Sequence, residues 1–412
     1  MNLFIGIDVG KLILSYCAIN SDDQCLFLDE ASNDLNGASQ IKQAILAETK
    51  LSDYQKVIVG MEATSVYNFH PTTFLSEDQE LQKNQLEVIT INPYTSHHFS
   101  ELFDDGKTDE VDAKQLAELI RVKPLGTSVV RQEKYMALQR LTRERYHLIH
   151  QLVDAKNQFL NNLYYRCNTL DQTLPTSVFG STMMSLITDE ELSLDEAAAM
   201  PLDQLAVKLQ QLGHGKFGNP EEVAKAIKKA VRSSYRLSKA VTESVDSILA
   251  VYAEIIRTLQ AQITKLDKSI QQLSVQITEI KCLTSIPGIG AVFAAGIVSE
   301  IGQITRFPNE SHIAKYAGLA WMPHESGTSI RQSTPRTRKG NQYLRYYLVE
   351  AANSVRRYDP TFQRYYQKKY KEVPKYRHKR AAVLTARKLV RLVDVLIRNN
   401  QLYVPPETGI AE

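Results

Sequence analysis

Four carboxylates in the first quarter of the chain are of a type and spacing that could hold divalent cations. Asp8 closes the run Phe4-Ile5-Gly6-Ile7-Asp8, and Glu62 closes Val57-Ile58-Val59-Gly60-Met61-Glu62. Both runs are short, apolar and rich in β-branched residues, the pattern of buried strands. An acid at the end of such a strand sits at the sheet edge where open α/β sheets bind ligands. Asp109 and Asp112 lie three residues apart at the start of an apolar-periodic segment, Val111, Leu116, Leu119 and Ile120. That spacing sets both carboxylates on one helix face. Brought together, the four acids repel one another and need compensation. Hard oxygen donors suit Mg²⁺, and two such ions can clamp an in-line displacement at phosphorus. Taken singly, any one of these acids is more often a turn residue or a helix cap. Their order and context favour the metal reading.

A second group of polar residues stands in the last third. Tyr316-Ala317-Gly318-Leu319-Ala320 leads through Trp321-Met322-Pro323-His324 to Glu325-Ser326-Gly327-Thr328-Ser329. Arg331, Arg336, Arg338, Lys339 and Arg345 follow, around Lys339-Gly340-Asn341-Gln342-Tyr343-Leu344-Arg345. The plain account is a Gly/Ser loop before a basic, phosphate-binding turn. No Gly-x-Ser-x-Gly elbow is present, so hydrolase chemistry is not supported.

The elements that must position these groups follow from periodicity. Strands are expected at Leu3–Ile7, Leu12–Ile19, Cys25–Leu28, Lys56–Gly60 and Glu87–Ile91, and helices at Ala38–Ala47, Pro71–Leu75 and Asp109–Ile120. The first three strands follow closely, as in an antiparallel meander; the later ones alternate with helices. From Glu133 to about Asn168, Leu138, Leu141, Leu148, Leu152, Ala155 and Phe159 form a helical seam. Residues 170–235 read as a small helical insert. Val245, Tyr252, Leu259, Leu266, Leu273 and Ile280 are seven apart, with Val241, Ile248 and Ile255, then Ile263, Ile270 and Ile277, as the other seam position. Such heptads predict a coiled coil, pairing either with the first long helix as an antiparallel stalk or between protomers. Ile286-Pro287-Gly288-Ile289-Gly290 between two helical runs suits a helix-hairpin-helix contact to nucleic-acid backbone through Gly288 and Gly290, or an ordinary helical corner.

Composition bounds the class. A chain of 412 residues is long enough for two or three domains. The readings above divide it into 1–125, 126–281 and 282–412. No apolar stretch reaches the ~18–20 residues of a membrane span, no signal peptide is visible, and the four cysteines are scattered without a Cys-x-x-Cys pair. A reducing cytoplasm is the expected home. The net charge of +3 hides an asymmetry: residues 330–400 hold nineteen Lys/Arg against four Asp/Glu. A polyanionic partner is implied.

Strand–Asp, strand–Glu, then Asp-x-x-Asp on a helix resembles the RNase H-like, RuvC-type DEDD nuclease domain. Ile91-Asn92-Pro93 ahead of Lys107-Thr108-Asp109 and Asp112-Ala113 narrows the resemblance to the DEDD transposases of the insertion sequence 110 family, whose domain pilin-gene invertases share. Ala317-Gly318-Leu319-Ala320, Ser326-Gly327 and Lys339-Gly340-Asn341-x-x-Leu344-Arg345 resemble the C-terminal transposase domain of the same family. Two positions depart: Ser65, where many relatives have glycine, and Glu325, where relatives often have serine or glutamine.

The resemblance implies an α/β RNase H-like N-terminal domain, a helical coiled-coil middle and a mainly α transposase domain. It implies DNA strand exchange through a composite site. Asp8, Glu62, Asp109 and Asp112 would hold Mg²⁺, and Ser326 would form a transient 5′-phosphoserine link to DNA, with Ser329 and Ser333 as weaker candidates. Implied partners are double-stranded donor and target DNA, a noncoding bridge RNA, and further copies of the chain, as a dimer or as a tetramer in synapsis. A RuvC-type nuclease using water, a pilin-type DNA invertase and a non-catalytic nucleic-acid scaffold are the alternatives.

Overall fold

The computed structural model describes residues 1–63, 66–91, 93–103, 108–123, 132–190, 192–321, 325–326, 329–330 and 340–405, the two short pairs as backbone alone. The chain divides into two compact units, residues 1–135 with 301–313, and 136–300 with 314–412.

In the first unit five strands form one sheet: β1 (Asn2–Val9), β2 (Ile13–Ile19), β3 (Cys25–Ser32), β4 (Lys56–Glu62) and β5 (Leu86–Ile91). Their order is β3-β2-β1-β4-β5. The β1–β2 and β2–β3 pairs are antiparallel, whereas β1–β4 and β4–β5 are parallel. The meander and the later crossovers therefore stand as expected, and the mixed sheet is compatible with a RuvC-like domain. Helices α1 (Leu35–Leu51), α2 (Phe69–Glu77), α3 (Gln79–Gln82), α4 (Pro93–Ser100) and α5 (Asp109–Val122) connect and cover it.

Period-2 alternation sorts the two faces. Leu3, Ile5, Ile7 and Val9 of β1 and Val57, Val59 and Met61 of β4 form one core with Ile41 and Ile45 of α1. On the other face Phe4 packs with Cys17, Ile89, Ile91 and with Ala113, Leu116, Ala117 and Ile120 of α5. Gly6 lies under α5: a Cβ there would collide with the carbonyl oxygen of Ala113 and the amide nitrogen of Ala117. The missing side chain lets α5 lie close on the sheet. Asp34 caps α1 by accepting from the Gly37 amide, and Thr108 caps α5 by accepting from the Val111 amide.

The second unit is helical among its described residues, apart from one small hairpin. Its long elements are α6 (Glu133–Arg166) and α12 (Lys239–Ser274), with α7 (Leu170–Thr173), α8 (Ser181–Ile187), α9 (Leu194–Ala199), α10 (Leu202–Leu212) and α11 (Pro220–Ser233) between them. Arg145 pairs with Asp267 and Arg166 with Asp246, so the two long helices run antiparallel. Leu152, Ala155, Phe159 and Leu163 of α6 share a core with Val245, Leu249, Ala253, Ile256 and Ile263 of α12 and with the short helices. The two long helices thus pack against each other within the chain. The heptad pattern overran its helix: α12 ends at Ser274, Ile277 is extended, and Ile280 belongs to α13 (Thr278–Thr284). No Gly or Pro marks that end; Ile277 and Ile280 are buried in the following structure instead.

The chain continues through α14 (Ala291–Ile301), α15 (Glu310–Tyr316), the two-residue strands β6 (Glu325–Ser326) and β7 (Ser329–Ile330), and α16 (Gln342–Tyr358), α17 (Pro360–Lys371) and α18 (Arg377–Arg398). In α18, Ala381, Thr385, Leu389, Val393 and Ile397 repeat every four residues on the buried face. Among the described residues no helix is long and apolar enough to cross a membrane. All four cysteines are free.

Candidate functional site

The strand register brings the first two acids together. Ile7 of β1 lies opposite Met61 of β4, so Asp8 and Glu62 are the next residues on neighbouring parallel strands. Both continue the even-numbered face, the one under α5, on which Gly6 and Gly60 leave room for the helix. The first turn of α5 carries Asp109 and Asp112. Asp8, Glu62 and Asp112 line one cleft of about 400 Å³ together with Ser96, His97 and Gln115. Asp109 is exposed at the mouth of the helix and is not among the lining residues.

The cleft gathers negative charge around Asp8. Burial, and then the negative charges of Asp112, Asp109 and Glu62, push the Asp8 carboxyl up to about 6, against one opposing hydrogen bond from the Val9 backbone. Ser96 of α4 donates to Glu62 at 2.6 Å. The free amides at the α5 N-terminus favour acids in its first turn, which offsets part of the repulsion. Among the described residues no three His, Cys, Asp or Glu side chains close into a ready coordination shell. The donor set still fits a hard divalent cation: oxygen ligands, excess negative charge and a carboxyl whose proton a metal would displace. Ser96, His97 and Gln115 were missed in the sequence, although Ser96 follows the Ile91-Asn92-Pro93 run by one helical turn.

In the second unit, β6 and β7 form a minimal antiparallel hairpin in which the backbone of Ser326 lies opposite that of Ser329. Ser333, Arg331, Arg336, Arg338 and Lys339 lie outside the described residues. The base of this loop is built with care. Asn341 donates its backbone N–H to the Tyr316 carbonyl at 2.7 Å. Gly340 has φ +118, and a Cβ on it would sit 2.6 Å from the Gly318 nitrogen. Gly318 itself has φ +67. These two glycines let the chain entering the loop and the chain leaving it touch backbone to backbone.

A buried carboxylate holds that junction. Glu300, fully buried on α14, accepts from Arg143 Nε at 2.7 Å and Nη2 at 3.0 Å, Gln139 Nε2 at 3.0 Å and Asn341 Nδ2 at 2.7 Å. Asn341 Nδ2 also donates to Tyr316 Oη, while Asn341 Oδ1 caps α16 by accepting from Tyr343 and Leu344. Arg345 donates to the Ala317 carbonyl at 3.1 Å. One network thus ties both stems of the serine loop to α6 and α14. Glu300 was legible as the lone charge in an otherwise apolar helix, since a buried charge demands partners. Gly288, with φ +95, is filled in by α16: a Cβ would meet Tyr358, Ser354 and Val355. Gly290 faces open space.

Comparison with known proteins is consistent with both halves. Residues 5–165 match an IS110-type DEDD family described as Transposase, and residues 280–367 match one described as Transposase IS116/IS110/IS902 family. An insertion element IS110 protein of 43.6 kDa from Streptomyces coelicolor is 27% identical over 53% of this chain and 58% of its own length. An insertion element IS116 protein of 44.8 kDa from Streptomyces clavuligerus is 24% identical over 98% of this chain and 96% of its own. A pilin gene-inverting protein of Moraxella bovis is 34% identical over 36% of this chain and 47% of its own.

Proposed function

Since this chain belongs to the IS110 family of transposases, we propose that it exchanges DNA strands, with the acids of an RNase H-like, RuvC-type domain and a nucleophilic serine serving one reaction. The observation that carries the reading is the convergence of Asp8, Glu62 and Asp112 on one cleft, in a chain that also has the second transposase domain. Divalent cations such as Mg²⁺, held by Asp8, Glu62, Asp109 and Asp112, would supply Lewis-acid stabilisation of the charge developing at phosphorus.

The chain's own groups do the rest. Ser326 Oγ attacks the phosphorus of a DNA phosphodiester, and the P–O3′ bond breaks. The hydroxyl proton, passed through a base, ends on the departing 3′ oxygen. The product is a 5′-phosphoserine ester and a free 3′-hydroxyl; attack by a new 3′-hydroxyl restores the phosphodiester and frees the serine. Bond energy is conserved, so rejoining needs no ATP. The Glu300–Asn341 network holds the two stems, around Tyr316 and Asn341, of the segment that carries this serine. Arg331, Arg336, Arg338, Lys339 and Arg345, with the open Gly290 corner, would hold phosphates. Sequence choice would rest on base pairing with a bridge RNA, with the protein reading backbone and shape.

Denaturing electrophoresis of the protein with labelled duplex DNA, Mg²⁺ and its RNA tests this. A covalent adduct is expected in the wild type and its loss in Ser326→Ala, with nucleic-acid binding kept. Cleavage without any adduct would establish a water-using nuclease instead. Similarity to a pilin gene-inverting protein favours a second reading, site-specific inversion, which shares this chemistry and is separated from transposition by the DNA products.

A further inference from the structure

Helices α17 and α18 turn back on each other through residues 372–376, and the corner is strongly basic. Between Lys368 and Arg380 stand Lys368, Lys369, Lys371, Lys375, Arg377, Lys379 and Arg380 against the single acid Glu372. Glu372 engages only two of them, Lys369 at 2.6 Å and Arg380 at 2.9 Å. Lys368, Lys371, Lys375 and Lys379 make no ion pair among the described residues, and all four are exposed. Such a concentration of unneutralised cations repels itself unless an anion covers it.

The corner is also stiff. Arg380 donates to the Lys369 carbonyl, Arg377 Nε donates to the Val373 carbonyl at 3.1 Å and lies over the Tyr370 ring, and His378 shares a 2.7 Å hydrogen bond with Tyr366. At its apex is Tyr376, with φ +53 and ψ 28, a left-handed conformation that glycine or asparagine adopts more easily. The residue is 84% exposed, and its side chain makes no hydrogen bond or ring contact among the described residues. An aromatic side chain that the fold does not bury is therefore held out at a backbone position that disfavours it, in the short turn between the two lysine-bearing helix ends.

We propose that this corner binds single-stranded nucleic acid, with Tyr376 stacking on an unpaired base while Lys368, Lys371, Lys375 and Lys379 follow its phosphates. Every base offers a π-face, whereas a paired base in a continuous duplex offers none at its side, so the exposed ring selects unpaired strands. DNA and RNA share this chemistry, and either strand could arise in the exchange proposed above. The inference rests on that reading only for its setting, since the binding is measured without any strand exchange.

The experiment is fluorescence anisotropy of the full chain with labelled 12-mer oligonucleotides, one ribo and one deoxy, and the corresponding duplexes, together with thermal melting of each variant. Substitution at the corner is expected to weaken single-strand binding and to leave duplex binding, which other basic residues serve, less affected. Tyr376→Gly is expected to lose roughly tenfold in single-strand affinity while its melting temperature stays level or rises, because glycine relieves the left-handed backbone. Tyr376→Trp should keep the affinity. Lys375→Glu with Lys379→Glu should weaken binding and flatten its salt dependence. A ribo or a deoxy preference supports the proposal and identifies the strand. Unchanged single-strand affinity in Tyr376→Gly, or an equal loss of duplex affinity in that variant, overturns it and leaves the adduct test of Ser326 untouched.

Discussion

Asp8 is the residue on which the first site turns, and its environment ties stability to chemistry. Its carboxyl is raised from 3.8 to about 6 by burial and by Asp112, Asp109 and Glu62. A carboxyl with a raised folded-state pKa holds its proton more tightly in the folded protein. Its folding penalty is absent below about 4, grows as pH rises through about 6 and is complete above that. Metal-free Asp8→Asn is therefore expected to be the more stable protein at pH 7.5, by about 1 kcal/mol once solvent screening of this partly buried group is allowed for. It should show a smaller loss of melting temperature between pH 5 and pH 7.5, and no adduct with DNA. Identical pH profiles for the wild type and Asp8→Asn in thermal melts with chelator present would show that the four acids are not coupled as described.

At the scale of elements, the site depends on how closely α5 lies on the sheet. The two glycines on that face are not equivalent. A methyl on Gly6 meets helix backbone at Ala113 and Ala117, which cannot yield without moving α5. A methyl on Gly60 meets side-chain methyls, Ile120 Cγ2 at 2.8 Å and Ile91 Cδ1 at 2.9 Å, and no backbone. Gly6→Ala is expected to cost on the order of 1–3 kcal/mol and Gly60→Ala less. Because Asp109 and Asp112 travel with α5, Gly6→Ala should also remove adduct formation under conditions where the protein is still folded. Urea unfolding and the adduct assay on both variants check this; equal effects of the two substitutions would refute the asymmetry. The other paired elements are set differently: the 21-residue steps from Arg145 to Arg166 and from Asp246 to Asp267 keep α6 and α12 in register over roughly 31 Å at 1.5 Å per residue.

For the whole molecule, the question is what covers α12. Its inner face is buried within the chain, but the heptad positions Val241, Ile248 and Ile255 stay 45%, 41% and 40% exposed, with Val251 beside them. An apolar stripe repeating every seven residues on a long helix is self-complementary about a two-fold axis. A dimer through this stripe is expected, observable by light scattering as twice the mass of one chain. Ile248→Asp with Ile255→Asp should return it to a monomer with an unchanged helical circular-dichroism spectrum, since neither side chain supports the inner core. A wild type that is monomeric at micromolar concentration, with and without nucleic acid, would rule out the stripe as the interface.

Local patterns in the sequence determined much of this protein. Alternating β-branched runs specified the strands and put Asp8 and Glu62 at strand ends, whereas the β1–β4 register that sets the two acids side by side is tertiary. The Asp-x-x-Asp spacing specified one helix face, and the charge asymmetry specified a polyanionic partner; each is a short-range property that survives without knowledge of the fold. Tertiary structure decided what depended on distant partners. It packed α6 against α12 and ended α12 at Ser274, because burying Ile277 and Ile280 outweighs a heptad pattern that would run on. It filled the space beside Gly288 with α16. It also made Glu300 tolerable, by bringing Gln139, Arg143 and Asn341 from remote parts of the chain to one buried carboxylate, and no periodicity within a single helix encodes where such partners will come from.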